Sequence, residues 1–410
     1  MARRRRANPR QAAIDIIRRL QDNGHVALLA GGCVRDMLLD RQPDDYDVAT
    51  DAVPSRVVEL FTKTRQVGAE FGVVLVRQAG IWIEVATFRS DHHYEDGRHP
   101  VSVTFSDPEQ DAKRRDFTIN GMFYDPLADQ VIDYVDGRSD LASGVIRTIG
   151  PPDQRFAEDH LRLVRAVRFA ARFEYTIHPE TYDAIRKHAP SITRVSAERI
   201  REELEKIMVD RHRARALDNL SAVGLLDHLW PDSEWTAQRV TLSASLLGRL
   251  PDRVGFGLSL ACLLIHWSVK EVNRICRDLT CSNGLRRRVA WLVEHADALT
   301  DPDALGLADL KLLMQRPAFG DLLTLTRARL EASDRPLTAY ERVLERVGAI
   351  PPDEVAPPPL IDGQALIEMG LSPGPIFKRV LDRVYRAQLE GEVTSKDEAA
   401  ALARQEVRQA

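Results

Sequence analysis

The sequence predicts an α+β chain, with a small mixed sheet flanked by helices over residues 1–150 and helices alone after that. Three observations predict it. The β-rich runs at 25–30, 72–77 and 81–88 all fall in the first part. From Arg155 onward only helical periodicity recurs, so strands are expected to cease there. At 410 residues the chain is also longer than one core usually spans, so it should divide into domains.

The elements follow in order. Residues 9–21 set Ala12, Ile16, Ile17 and Leu20 on one side of an amphipathic helix. The apolar run 25–30 reads as a buried strand, broken by Gly31 and Gly32, with a helix expected over 33–39. Strand, glycine pair and helix start suit a phosphate. Glycine lets the backbone approach closely, and free N–H groups and the helix dipole favour an anion. Arg35 adds a fixed positive charge. Asp45 and Asp47 then flank Tyr46 in a strand-like run, where alternation sets both carboxylates on one face. Two hard oxygen ligands that close form a natural site for Mg²⁺, completed by substrate phosphates. A phosphate cradle followed by paired carboxylates is the minimum kit for metal-assisted nucleotidyl transfer.

Proline opens a helix at 54–61. The runs 72–77 and 81–88, separated by Gln78-Ala79-Gly80, read as a hairpin. Glu84 alternates onto one face of its second strand, as a solvated residue or as a third carboxylate beside the metal. The polar stretch 90–100 reads as a mobile loop, and its His92 and His93 as solvated rather than metal-binding. Arg114, Arg115 and Asp116 precede an apolar stretch. Arginine offers phosphate or base a bidentate fork, and aspartate can accept from a ribose hydroxyl. A turn and strand follow at 125–136.

Residues 156–173 read as one long helix, with Leu161, Val164, Val167 and Ala171 at helical spacing. Asp159, Arg162, Arg165 and Arg168 recur every three residues and drift about 60° per step, so they wind along one flank. Ser196 is placed to cap a helix over 197–209. Pro351-Pro352 and Pro357-Pro358-Pro359 bracket a stiff linker, and a later helix carries Phe377, Val380 and Val384.

The formal net charge is −4, so a nucleic-acid partner must be held by local basic patches. The four cysteines have no zinc or disulfide spacing and fit a reducing cytoplasm. No apolar run approaches the roughly 18 residues of a membrane span, and no signal core follows Arg3–Arg6.

Together the stretch LAGGCVRDMLLDRQPDDYDVAT at 29–50, the RRDFT at 114–118 and the EDHLRLVRAVRF at 158–169 resemble the signature of class II nucleotidyltransferases. These are the tRNA CCA-adding enzymes and the related bacterial poly(A) polymerases. Residues 136–150 and 196–208 resemble further family segments. The resemblance implies a nucleotidyltransferase-type head at 1–150, a base-reading neck at 151–212, a helical body at 213–350 and a tail at 351–410. It implies addition of CMP and AMP from CTP and ATP to the tRNA 3′ acceptor end, with Mg²⁺ held by the catalytic Asp45 and Asp47. Gly31, Gly32 and Arg35 would hold the triphosphate. Arg115 would contact the nucleotide and Asp116 would lie by the ribose. Beside Glu158, Asp159 and Arg162 would present hydrogen-bonding edges to the base, and Arg165 and Arg168 would reach phosphate. The 90–100 loop would serve the final A. Poly(A) synthesis, or addition of only A or only CC, shares the head motifs. A non-catalytic RNA-binding role is opposed by the intact Asp45 and Asp47. A phosphohydrolase body is disfavoured because Trp267 follows His266 where an aspartate is expected.

Overall fold

The computed structural model describes residues 8–67, 72–94, 100–230, 233–370 and 374–408. The chain separates into two compact units, Met1–Val240 and Thr241–Ala410. The expected boundaries at 150 and 212 fall inside the first unit, and that at 350 inside the second.

The first unit opens with α1 (Pro9–Gln21), capped by the Asn8 side chain, with Ala12, Ala13, Ile16, Ile17 and Leu20 buried. There follow β1 (Ala27–Ala30), α2 (Gly32–Leu38), β2 (Asp47–Thr50), α3 (Pro54–Leu60), β3 (Thr64–Gln66), β4 (Val73–Gln78) and β5 (Ile81–Thr87). After β6 (Arg89–Tyr94), β7 (Pro100–Phe105) and α4 (Pro108–Arg114) come β8 (Phe123–Asp125) and β9 (Gln130–Ile132). Among the described residues the main sheet runs β3-β4-β5-β2-β1-β8-β9. It is mixed, because β2 pairs with β5 in parallel while its other neighbours are antiparallel. The β4–β5 hairpin closes through Ala79 and Gly80, both at positive φ, the backbone a two-residue turn of this hand requires. Leu28, Ala30, Ala49, Ala112, Phe88 and Phe123 form a core cluster, with the two phenyl rings edge-on at 5.7 Å.

The chain continues through α5 (Gly137–Ser143), β10 (Val145–Ile146), α6 (Pro152–Glu158), α7 (Leu161–Phe173), β11 (Thr176–Ile177), α8 (Pro179–His188), α9 (Ala197–Met208), α10 (Arg213–Ala222) and α11 (Leu225–Leu229). Three expectations are corrected here. The 90–100 stretch is not simply a loop: β6 and β7 pair antiparallel, with Asp91 opposite Val103 and Tyr94 opposite Pro100. Backbone pairing needs no apolar side chains on β6, and the Val-Ser-Val-Thr-Phe alternation of β7 supplies a ready partner. Asp96, Gly97 and Arg98 lie outside the described residues.

The single helix over 156–173 is two helices. Asp159 is extended, at φ −147° and ψ 104°, and its carboxylate accepts from the Leu161 amide at 3.1 Å. A short acidic side chain competes with the helix for its own backbone donors, which apolar periodicity cannot reveal. Strands also continue past Arg155, because β11 pairs in parallel with β10 through two residues, too short to leave a pattern. Ser196 sits at the N-cap of α9 as expected, without a side-chain capping bond.

The second unit is helical: α12 (Ala237–Gly248) from Thr241 on, α13 (Phe256–Leu263), α14 (Val269–Asp278), α15 (Asn283–Glu294), α16 (Leu307–Met314), α17 (Phe319–Ala332), α18 (Thr338–Gly348), α19 (Pro352–Val355), α20 (Gly363–Glu368), α21 (Pro375–Glu390) and α22 (Lys396–Arg408). The proline linker thus contains a one-turn helix. Val380 and Val384 join Leu366, Ala387, Ala399 and Ala403 in a core of the tail's own. No helix among the described residues is long and apolar enough to cross a membrane.

Candidate active site

The site begins where β1 ends. Gly31 adopts φ +70°, which strains any side chain, and a Cβ there would stand 2.7 Å from Arg115 Nη1, so Arg115 would have to shift. Its amide is held by the Met122 carbonyl at 3.0 Å, and Gly32 starts α2. Register sets Asp47 opposite Ala30, beside this turn. Tyr46 is buried while Asp45 and Asp47 face solvent, the alternation the sequence led one to expect, although β2 begins only at Asp47. Parallel pairing of Val48 with Val85 sets Glu84 alongside Asp47. Although its side chain opens to the cleft, desolvation by the surrounding walls, then Glu84 and Asp45, push the Asp47 carboxyl up to about 6, with Arg115 opposing. Cys33, one turn away, is buried and its thiol is pushed up to about 11, so it is inert.

Gly31, Gly32, Arg35, Asp45, Asp47, Arg115, Asp116, Asp159, Arg162, Arg165 and Arg168 all line one cleft of about 680 Å³. Its lining carries nine arginine and lysine side chains against four aspartates, a local basic patch on a chain of net negative charge.

How each is held differs. Arg35 is buried, donating to Asp36 at 2.8 Å and Asn120 at 2.5 Å, with its guanidinium over the Phe173 ring at 4.6 Å. Arg115 gives Nε and Nη2 to the buried Asp111, at 3.1 and 2.9 Å, which turns Nη1 towards Gly31. Asp116 accepts from the Phe117 amide, from Asn120, and from Arg165 Nε and Nη2 at 2.9 and 2.7 Å. Burial favours its neutral form, but Arg165 and these donors outweigh it and hold the carboxyl well below the usual carboxylate range. Four donors fill the four acceptor directions of a carboxylate, so here Asp116 orients Arg165. Glu203, from α9, is buried and accepts from Arg168 at 2.7 Å, Lys206 at 2.9 Å and Arg165 at 3.4 Å.

Asp159 and Arg162 both reach the cleft but do not pair with each other. Arg162 donates to Glu158 at 2.8 Å and to the Arg155 carbonyl at 2.9 Å. Asp159 Oδ2 accepts from Arg199 at 2.9 Å. Sequence reasoning missed Arg199, Glu203, Asp111, Asn120, Arg89, Arg172 and Lys206. For Asp111 a signal existed, since Arg114 and Arg115 follow it at helical i+3 and i+4 spacing.

Two family models match the chain. A poly(A) polymerase head domain covers residues 27–147, and a probable RNA- and SrmB-binding site of polymerase A covers 174–235. The CCA-adding enzyme of Geobacillus thermodenitrificans is 34% identical over 396 residues, 95% of each chain. The chain belongs to the CCA-adding enzyme family. The CCA-adding enzyme of Geobacillus stearothermophilus is likewise 34% identical, over 412 residues and 95% of each chain. The crystal structure of the Bacillus stearothermophilus CCA-adding enzyme in complex with CTP matches with a TM-score of 0.81 at 30% identity, over 98% of both chains. A CCA-adding enzyme must bind a triphosphate and read its base. Here the arginines and the Asp159 carboxylate line one cleft.

Proposed function

We propose that the protein adds C, C and A in turn to the 3′ end of tRNA, from CTP and ATP and without a nucleic-acid template. One observation carries this reading. A single cleft gathers Asp45 and Asp47, the Gly31-Gly32 turn, the arginines of α7 and the Asp159 edge, in a chain matched over 95% of its length by a CCA-adding enzyme. The division of labour follows the expected head at 1–150, neck at 151–212, body at 213–350 and tail at 351–410, and the enzyme works in the cytoplasm.

The tRNA 3′ hydroxyl attacks the α-phosphorus of the bound nucleotide in line. A new P–O bond forms to the 3′ oxygen, and the bond to the pyrophosphate oxygen breaks. The Gly32 amide, exposed by the turn that Gly31 makes, Arg115, Arg165 and Arg168 hold the triphosphate, with Arg35 bracing the wall beneath. Asp159 accepts from an exocyclic amino group and Arg162 donates to the adjacent ring nitrogen. Cytosine and adenine share that pattern on their pairing edges, whereas uracil and guanine present a carbonyl where the amino group should be. The donor pair fits Mg²⁺: Asp45 and Asp47 are hard carboxylate ligands, and the crowding by Glu84 and Asp45 that raises the Asp47 carboxyl is relieved by a dication. When bound there, Mg²⁺ lowers the pKa of the attacking hydroxyl and neutralises charge on the leaving pyrophosphate.

The test is purified protein with tRNA lacking CCA, all four nucleotides and Mg²⁺, followed by 3′-end sequencing. The reading expects addition of C, C, A and then arrest. Runs of A on generic RNA, or A without prior C, would hand the activity to the poly(A) or A-adding class.

A further inference from the structure

Asp159 and Arg162 do not pair through their side chains: Arg162 donates to Glu158 and to the Arg155 and Arg114 carbonyls. What orients the Asp159 carboxylate comes from elsewhere. Its Oδ1 accepts from the Leu161 amide at 3.1 Å, and its Oδ2 accepts from Arg199 Nη2 at 2.9 Å. The Arg199 and Asp159 side chains are 18% and 17% exposed, so the pair is well shielded from solvent. Arg199 does not line the cleft; it stands behind the carboxylate that does. With one donor on each oxygen, rotation about the Cβ–Cγ bond is blocked, and each oxygen keeps an acceptor direction for a ligand.

Glu203 follows Arg199 by four residues on α9, hence on the same helical face. It holds Arg165 and Arg168, the cations assigned to phosphate. One helix therefore backs two functions through two residues one turn apart. Arg199 reaches the Asp159 carboxylate, and Glu203 reaches Arg165, Arg168 and Lys206.

We propose that Arg199 is the positioning residue for base selection: from α9 it fixes the Asp159 carboxylate in the orientation that accepts from the amino group of cytosine or adenine. This rests on the reading of Asp159 as the base-facing acceptor. Without Arg199 the carboxylate can turn about its bond and meet uracil or guanine through other arrangements. Triphosphate binding, which is blind to the base, is left largely as it was.

The experiment measures kcat/KM for CTP, ATP, UTP and GTP on tRNA lacking CCA, and for ATP on tRNA ending in CC. The enzymes compared are wild type, Arg199→Ala, Arg199→Lys, Asp159→Ala, the Asp159→Ala/Arg199→Ala double variant and Glu203→Gln. Arg199→Ala should reduce discrimination of CTP and ATP against UTP and GTP by about tenfold, the loss of one oriented hydrogen bond. Arg199→Lys should restore part of it. The double variant should discriminate no worse than Asp159→Ala alone, because Arg199 acts through that carboxylate. Glu203→Gln should raise KM for all four nucleotides together. A merely structural role for α9 would make Arg199→Ala resemble Glu203→Gln, with uniform loss, and that result overturns the inference. If Asp159→Ala blurs base choice while Arg199→Ala does not, the inference falls and the reading of Asp159 stands. If Asp159→Ala keeps full discrimination, both fall.

Discussion

At the scale of single residues, the proposed chemistry turns on Asp45 and Asp47, with Glu84 set beside Asp47 by strand register. Asp45→Asn and Asp47→Asn should each lower transfer by more than about 100-fold with circular dichroism and melting unchanged, since both face solvent and support no core. Near-normal turnover in either would remove that residue from the site. Glu84→Gln should cost less, about 10–100-fold, because Glu84 is set beside Asp47 by register rather than by the glycine turn. The sequence already brought Asp45 and Asp47 to one face, because alternation is a local property. It left Glu84 between two readings, because the pairing of β2 with β5 joins residues distant in the chain. The partners of Asp116 and Asp159 were hidden for the same reason, since Arg165 and Arg199 lie 49 and 40 residues away.

At the scale of elements, two features can be probed separately from chemistry. The β1–α2 turn needs a residue without a Cβ. Gly31→Ala should destabilise the first unit by about 1–3 kcal/mol and raise KM for the triphosphate, because its methyl would collide with Arg115 where Asp111 holds it. A melting curve and a KM measurement check both. The clamp of α9 on α7 should depend on pH. Burial alone would raise the Glu203 carboxyl, but Arg168, Arg165 and Lys206 outweigh it, so its folded pKa is lowered. The stability it contributes is then present above the unfolded glutamate value of about 4.3 and is lost as pH falls through the lower folded value. Glu203→Gln should cost about 3 kcal/mol at pH 7, and the gap to wild type should narrow in urea melts towards pH 3. A gap that widened on acidification would reverse the sign of the linkage. The β6–β7 hairpin is a third element. It follows directly on β5, and Arg89 at its root lines the cleft. Replacing residues 90–104 by a short Gly-Ser link should leave tRNA ending in CC, with C addition little changed. Equal loss of both would give the hairpin a general role. The hairpin's pairing was not legible, because a polar strand such as β6 carries no apolar alternation.

At the scale of the whole molecule, a negatively charged chain concentrates positive charge in one cleft of its first unit, and Asp159 lines the same cleft. The motifs of the head and of α7 were legible because each is a contiguous run. Their convergence was not, since it depends on the turn at Asp159 that splits α6 from α7 and on the support of α9. The central claim is that one site serves both nucleotides. Its most direct measurement is equilibrium binding of CTP to the full chain, with ATP as competitor. One nucleotide should bind per chain, ATP should displace CTP competitively, and Asp159→Ala should weaken both alike while admitting UTP and GTP. Two independent sites, or ATP bound beside undisplaced CTP, would contradict it.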